Sequence, residues 1–134
     1  MIELKNITKK YGALTVYEGF DFCIEEGEIT CILGESGSGK TTLLNMLAGL
    51  TEYEGTISPR CRCSYIFQQP RLVPSLTAAG NLKLVCGDDA AIADMLRAVG
   101  LEEKSGADPE NLSGGQAQRV SIARAFLYPS DVIL

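Results

Sequence analysis

The chain contains no histidine. Mechanisms that need an imidazole as general base, proton shuttle or metal ligand are therefore excluded within these 134 residues. Cations are also scarce: 12 Lys and Arg stand against 17 Asp and Glu, a formal net charge of −5. That balance argues against a nucleic-acid partner gripped by a broad basic face. No apolar run approaches the ~20 residues of a membrane-spanning helix. Glu3 and Lys5 interrupt the first apolar stretch, so no secretory leader is expected there. The five cysteines, Cys23, Cys31, Cys61, Cys63 and Cys86, are odd in number and scattered. Cys61-Arg62-Cys63 lacks the second pair or histidine that would complete four metal ligands. The cysteines are read as buried or half-buried thiols in a reducing, cytosolic compartment. There is no internal repeat and no low-complexity segment.

What is present centres on Glu28 to Leu50. Ile29, Cys31, Ile32 and Leu33 form a short apolar run, which predicts a strand buried on both faces. Gly34-Glu35-Ser36-Gly37-Ser38-Gly39-Lys40-Thr41 follows and fits the phosphate-loop pattern G-x-x-x-x-G-K-[ST]. Leu43, Leu44 and Leu47 then recur at helical spacing, with Gly49 as the stop. The glycines let backbone N–H groups close on crowded phosphate oxygens, and the helix adds the positive end of its dipole. Lys40 is the mobile cation for the β- and γ-phosphates, and the Thr41 hydroxyl is a ligand position for Mg²⁺. A glycine-rich turn with an exposed lysine is the bland alternative, and the strand-loop-helix order disfavours it. The loop alone implies only a bound nucleoside triphosphate.

Ahead of it, Ile2, Leu4 and Ile7 read as β, Tyr11-Gly12 as a turn, and Phe20, Phe22 and Ile24 as a half-buried strand. Tyr11 is a candidate base platform, although a tyrosine anchoring a turn with a wet hydroxyl fits the pattern better. After Gly49, Tyr53 to Ile57 and Ser64 to Phe67 read as short strands, the second ending at Gln68-Gln69-Pro70. Thr77 caps a helix bearing Leu82 and Val85, and Asp88 or Asp89 caps another with Ile92, Leu96 and Val99 inward. Residues 102–111 are polar and loop-like. Leu112-Ser113-Gly114-Gly115-Gln116 precedes a helix predicted from Ala117 to Leu127, a second anion-ready helix start or an ordinary capped turn. Pro129-Ser130 ends it, and Asp131 to Leu134 begins a strand.

The ordered set of Tyr11, Gly34 to Thr41, Gln68, Leu112 to Gln116 and Arg119 resembles the nucleotide-binding domain of ATP-binding cassette (ABC) transporters, over essentially the whole chain. A phosphate loop is common to many NTPases, whereas a phosphate loop followed by Leu-Ser-Gly-Gly-Gln is nearly diagnostic. The resemblance implies an α/β P-loop NTPase fold of ABC type, with a parallel core sheet, an N-terminal antiparallel β layer and a small helical insertion. It implies a core of residues 1–68 and 112–134 and a helical subdomain at about 69–111. It implies that Tyr11 stacks on adenine, and that Gly34, Glu35, Ser36, Gly37, Ser38, Gly39, Lys40, Thr41 and Thr42 hold ATP. It implies that Gln68 touches Mg²⁺ and the attacking water, so that Lys40 and Gln68 are the catalytic candidates and Thr41 and Gln68 the metal candidates. The resemblance also implies that Ser113, Gly114, Gly115 and Gln116 act in trans on the ATP of a second subunit, in a homodimer or a heterodimer. A membrane-spanning permease is the other implied partner, with the chain on the inner face of the membrane. Phe67 to Pro74 with Leu76-Thr77 looks most like importer subunits for nitrate, sulfonate or taurine-type solutes.

The chain departs from the family pattern at Leu134. There the family's Mg²⁺-binding aspartate, general-base glutamate and switch histidine would follow, so truncation and loss of hydrolysis are expected. The competing readings are a nucleotide-binding remnant without turnover and a soluble ABC-type ATPase outside transport.

Overall fold

A computed structural model describes all 134 residues. They form two compact units, residues 1–63 and 64–134.

The first unit is built on a three-stranded antiparallel sheet. β1 (Ile2–Tyr11) lies between β2 (Leu14–Ile24) and β3 (Glu54–Ser58). Ile2, Leu4 and Ile7 of β1 are buried, a spacing of two and then three. The extra residue is Asn6, which sits at φ 51° where the register against β2 shifts, and its N–H donates to Asp21 Oδ1 at 2.6 Å. The bulge changes the phase of the alternation and returns Ile7 to the inner face. Ile57 of β3 lies opposite Leu4 and is buried too. α1 (Lys40–Leu47) buries Leu43 and Met46, with Leu44 and Leu47 half-buried.

Two expectations fail in this unit. Residues 28–33 form no strand: the segment is irregular, with Ile29 100% and Leu33 86% exposed. The sheet orders β2-β1-β3 and β4-β5 give this run no ladder partner, and an apolar run holds extended structure only when neighbours take its N–H and C=O groups. Cys31 is exposed with it, and Cys23 is exposed on β2, so these two thiols are not buried.

In the second unit, which begins at the second residue of β4 (Cys63–Ser64), that strand's end and β5 (Val132–Ile133) make a short parallel pair. Leu134 N–H donates to Ser64 O and Leu134 O accepts from Ile66 N–H, both at 2.8 Å. This slanted exchange about Tyr65 is the parallel pattern. Three helices supply the rest: α2 (Ala78–Lys83), α3 (Asp89–Ala98) and α4 (Gly114–Leu127). Their core is Ala78, Leu82, Ile92, Leu96, Leu101, Val120 and Ala123. Thr77 Oγ1 caps α2 through Gly80 N–H at 3.1 Å, and Asp88 Oδ1 caps α3 through Ala90 N–H at 2.9 Å. α2 ends before Val85, and residues 102–104 and 109–111 form short 3₁₀ turns where only loop was expected. α4 begins at Gly114, three residues earlier than the pattern suggested, because Ser113 caps it directly. No helix is long and apolar enough to cross a membrane.

Candidate functional site

The first unit carries the glycine-rich loop and the tyrosine. Gly39 takes a left-handed φ of 93° as the N-cap of α1 and offers no side-chain cap. The first helical bond runs from Leu43 N–H to Gly39 O at 2.9 Å. The N–H groups ahead of it, on Lys40, Thr41 and Thr42, have no carbonyl within the helix to donate to, and the helix dipole places positive potential on them. Lys40 Nζ folds back over the loop and donates to Gly34 O at 2.8 Å, Glu35 O at 2.6 Å and Ser38 Oγ at 3.4 Å. An ammonium, a helix N-terminus and a turn of small residues thus meet on one exposed stretch of the chain. That arrangement is chemically suited to a multiply charged anion.

Tyr11 lies at the end of β1 with 48% of its surface exposed. Its hydroxyl bonds with the Thr51 and Thr42 side chains hold its pKa below the ordinary tyrosine range. The structure therefore brings the candidate base platform to the first turn of α1. Lys9 Nζ lies 4.6 Å from the centroid of its ring.

In the second unit, Gln68 is exposed just beyond the extended run that starts at β4. The run before it is braced. Tyr65 and Phe67 stack with centroids 4.2 Å apart, the Arg71 guanidinium covers the Phe67 ring at 3.8 Å, and Gln118 Nε2 donates to Phe67 O at 3.1 Å. Arg124 donates to Pro70 O and Arg71 O at 3.2 Å, with burial pulling its pKa down. Gln118 and Arg124 both stand on α4, so the helix that begins at Ser113 also holds the backbone on either side of Gln68. Arg119 serves a different end, its Nη1 donating to Val99 O at the close of α3 at 2.8 Å.

Ser113 and Gln116 form a reciprocal cap on α4. Gln116 N–H donates to Ser113 Oγ at 3.2 Å, and Ser113 N–H donates to Gln116 Oε1 at 2.8 Å. The Ser113 hydroxyl uses a lone pair in this cap and keeps its proton to donate outward. Gly114 and Gly115 are exposed and have open space where a Cβ would stand. For a divalent cation, the Thr41 hydroxyl and the Gln68 amide oxygen are hard oxygen donors of the class Mg²⁺ takes. No group of three or more His, Cys, Asp or Glu could hold a metal ion.

Lys9, Thr51, Gln118 and Arg124 were not singled out in the sequence. Ser113-x-x-Gln116 has the capping-box spacing and was legible. Lys9 and Tyr11 stand two apart on one strand, a weak signal. Gln118, Arg124 and Thr51 act through backbone carbonyls or long-range contacts that leave no local pattern.

A family model described as ABC transporter matches residues 17–134. Among curated relatives, the chain is 41% identical to aliphatic sulfonates import ATP-binding protein SsuB 1 of Agrobacterium fabrum, covering 96% of this chain and 50% of that one. It is 39% identical to the SsuB of a Mycobacterium species, covering 100% of this chain and 58% of the relative. The chain thus spans about half the length of the curated relatives it matches. Among solved structures it is similar to an ATP-binding subunit of an ABC transporter, with a TM-score of 0.83 at 29% identity over 94% of this chain and 61% of the other. It is equally similar to the dimeric ATP-binding cassette MJ0796 in a post-hydrolysis state bound to ADP and Pi, with a TM-score of 0.83 at 33% identity over 95% and 69% of the two chains.

Proposed function

The chain belongs to the ABC transporter family, and from that premise we propose that it binds ATP on Gly34 to Thr42 as part of the energising subunit of an importer for organosulfonate-type solutes. The observation that carries this reading is Lys40, held over the loop by the Gly34 and Glu35 carbonyls at the uncapped start of α1. Phosphate oxygens compete with those carbonyls for the ammonium and win on charge, because hydrogen bonds between ionised partners are about twice as strong as neutral ones. In this reading Tyr11 receives the adenine, and Thr41 with Gln68 supplies protein oxygens to Mg²⁺, whose chemistry when bound is to neutralise phosphate charge. Residues 1–68 with 112–134 act as the nucleotide core and about 69–111 as the helical subdomain.

The outward proton of Ser113 and the open N–H groups of Gly114 and Gly115 suit the terminal phosphate of a nucleotide carried by a second subunit, with Gln116 fixing the serine. Dimerisation, docking on a membrane-spanning permease at the cytoplasmic face, and ATP turnover coupled to transport complete the proposal. The identity to sulfonate-import relatives supports the solute class.

Lys40→Ala tests the central claim. Losing one charged donor to the phosphates, worth about 1.5–3 kcal/mol, weakens Mg-ATP roughly ten- to hundredfold in a fluorescent-nucleotide titration, while the thermal melt of the free chain stays in place. Undiminished ATP affinity in this variant would sink the reading.

A further inference from the structure

The end of β1 carries a pair that the phosphate loop does not account for. Lys9 Nζ stands 4.6 Å from the centroid of the Tyr11 ring, within cation–π range. The ammonium is anchored, donating to Glu52 O at 2.6 Å. The ring is anchored as well, its hydroxyl engaged by the Thr51 and Thr42 side chains. Thr51 and Glu52 are adjacent, so one short segment ahead of β3 fixes both members of the pair. Lys9 stands over one face of the ring, and Tyr11 keeps 48% of its surface exposed.

We propose that Lys9 is a positioning residue for the nucleobase: it seats the Tyr11 ring against Thr42 and Thr51 and reserves the opposite face for the base of the triphosphate held by the 34–42 loop. This rests on the phosphate-loop reading above. Two physical effects support it. A ring already held in place loses little freedom when a base arrives, so stacking keeps more of its free energy. An ammonium on one face also draws on the π electrons and eases the approach of an electron-rich purine to the other. Neither effect distinguishes one purine from another, so the platform tolerates different bases.

The test compares the full chain with Lys9→Met and Lys9→Arg, using ATP, GTP and inorganic tripolyphosphate as ligands. Lys9→Met keeps the length of the side chain and removes its charge. It weakens ATP and GTP about two- to fivefold, the size of an exposed cation–π contact, and leaves tripolyphosphate unchanged. Lys9→Arg, with a cation over the ring and a donor for Glu52 O, restores ATP affinity. Unchanged ATP affinity in Lys9→Met overturns the inference. So does an equal loss for ATP and tripolyphosphate, which would place Lys9 on the phosphates or in the fold. A wild-type chain that binds tripolyphosphate as tightly as ATP removes the base platform and leaves the phosphate loop standing. One that binds neither removes both.

Discussion

Tyr17 of β2 donates its hydroxyl proton to the carbonyl of Gly39 at 3.1 Å, tying the antiparallel sheet to the last glycine of the loop. A Cβ on Gly39 would stand 2.7 Å from Val16 Cγ1 and 3.1 Å from Tyr17 Cε2. The tether works only because β2 approaches a residue that has no side chain. Burial raises the pKa of the same hydroxyl, which keeps it protonated as the donor this bond requires.

Gly39→Ala therefore carries two penalties. The left-handed φ of 93° costs roughly 1–2 kcal/mol for a residue with a Cβ, and the contact with Val16 forces β2 or the loop to move. Gly37→Ala has a φ of 82° and nothing within 4 Å, so it carries the first penalty alone. Urea melts of the two variants separate the terms: Gly39→Ala loses more stability and also weakens ATP, because its displacement moves the first turn of α1. Equal losses in both would show that the approach of β2 does not constrain the loop.

Ser113→Ala and Gln116→Ala each remove one half of the cap on α4, at about 1 kcal/mol apiece. The two bonds hold each other in register, so the double variant costs less than the sum of the single ones. Denaturant melts of the four proteins form the cycle. Additivity to within about 0.3 kcal/mol would mean that the two halves act independently. The same cycle bears on the proposed trans role, since Gln116→Ala leaves the Ser113 hydroxyl in place and loosens its aim.

Local signals were legible wherever a short pattern set the structure. Asp88 and Thr77 as caps, the stripe of Ile92 and Leu96, and the glycine-rich loop running into α1 all depend on residues within a few positions of each other. The apolar run at 28–33 failed for the converse reason. Its composition satisfies the requirements of a buried strand, but burial is a property of neighbours, and no strand of this chain pairs with it. The candidate site divides the same way. The loop and signature sequences announce themselves, whereas Lys9, Gln118 and Arg124 matter through carbonyls 43, 51 and 53 or 54 positions distant. A one-dimensional pattern holds no trace of such pairs.

The last prediction concerns Asn81, which is fully buried on α2 and makes four hydrogen bonds. Its Oδ1 accepts from Val73 N–H at 2.7 Å, and its Nδ2 donates to Val73 O, Leu76 O and Thr77 O at 3.2, 3.0 and 3.1 Å. One side chain thus closes the turn that follows the Gln68 loop. Asn81→Leu keeps the volume but strands the Val73 N–H and the Leu76 carbonyl, while Val73 O and Thr77 O keep their backbone donors, at roughly 1–3 kcal/mol for each group left unsatisfied. Asn81→Asp is the sharper probe. It keeps the acceptor for Val73 N–H and, when ionised, places a buried charge among three carbonyl oxygens. That environment disfavours the carboxylate, so the pKa of the introduced group in the folded state lies above its unfolded value near 3.9. The folded variant then binds more protons than the unfolded one, and its stability falls as pH rises through that window. Relative to wild type at the same pH, Asn81→Asp is therefore strongly destabilised near pH 7 and recovers part of the loss near pH 4, where a protonated carboxyl can again donate to a carbonyl. Urea melts of both proteins at the two pH values measure the difference. A penalty that stays constant between them would mean that the carboxylate reaches water, and that the turn is not closed by Asn81.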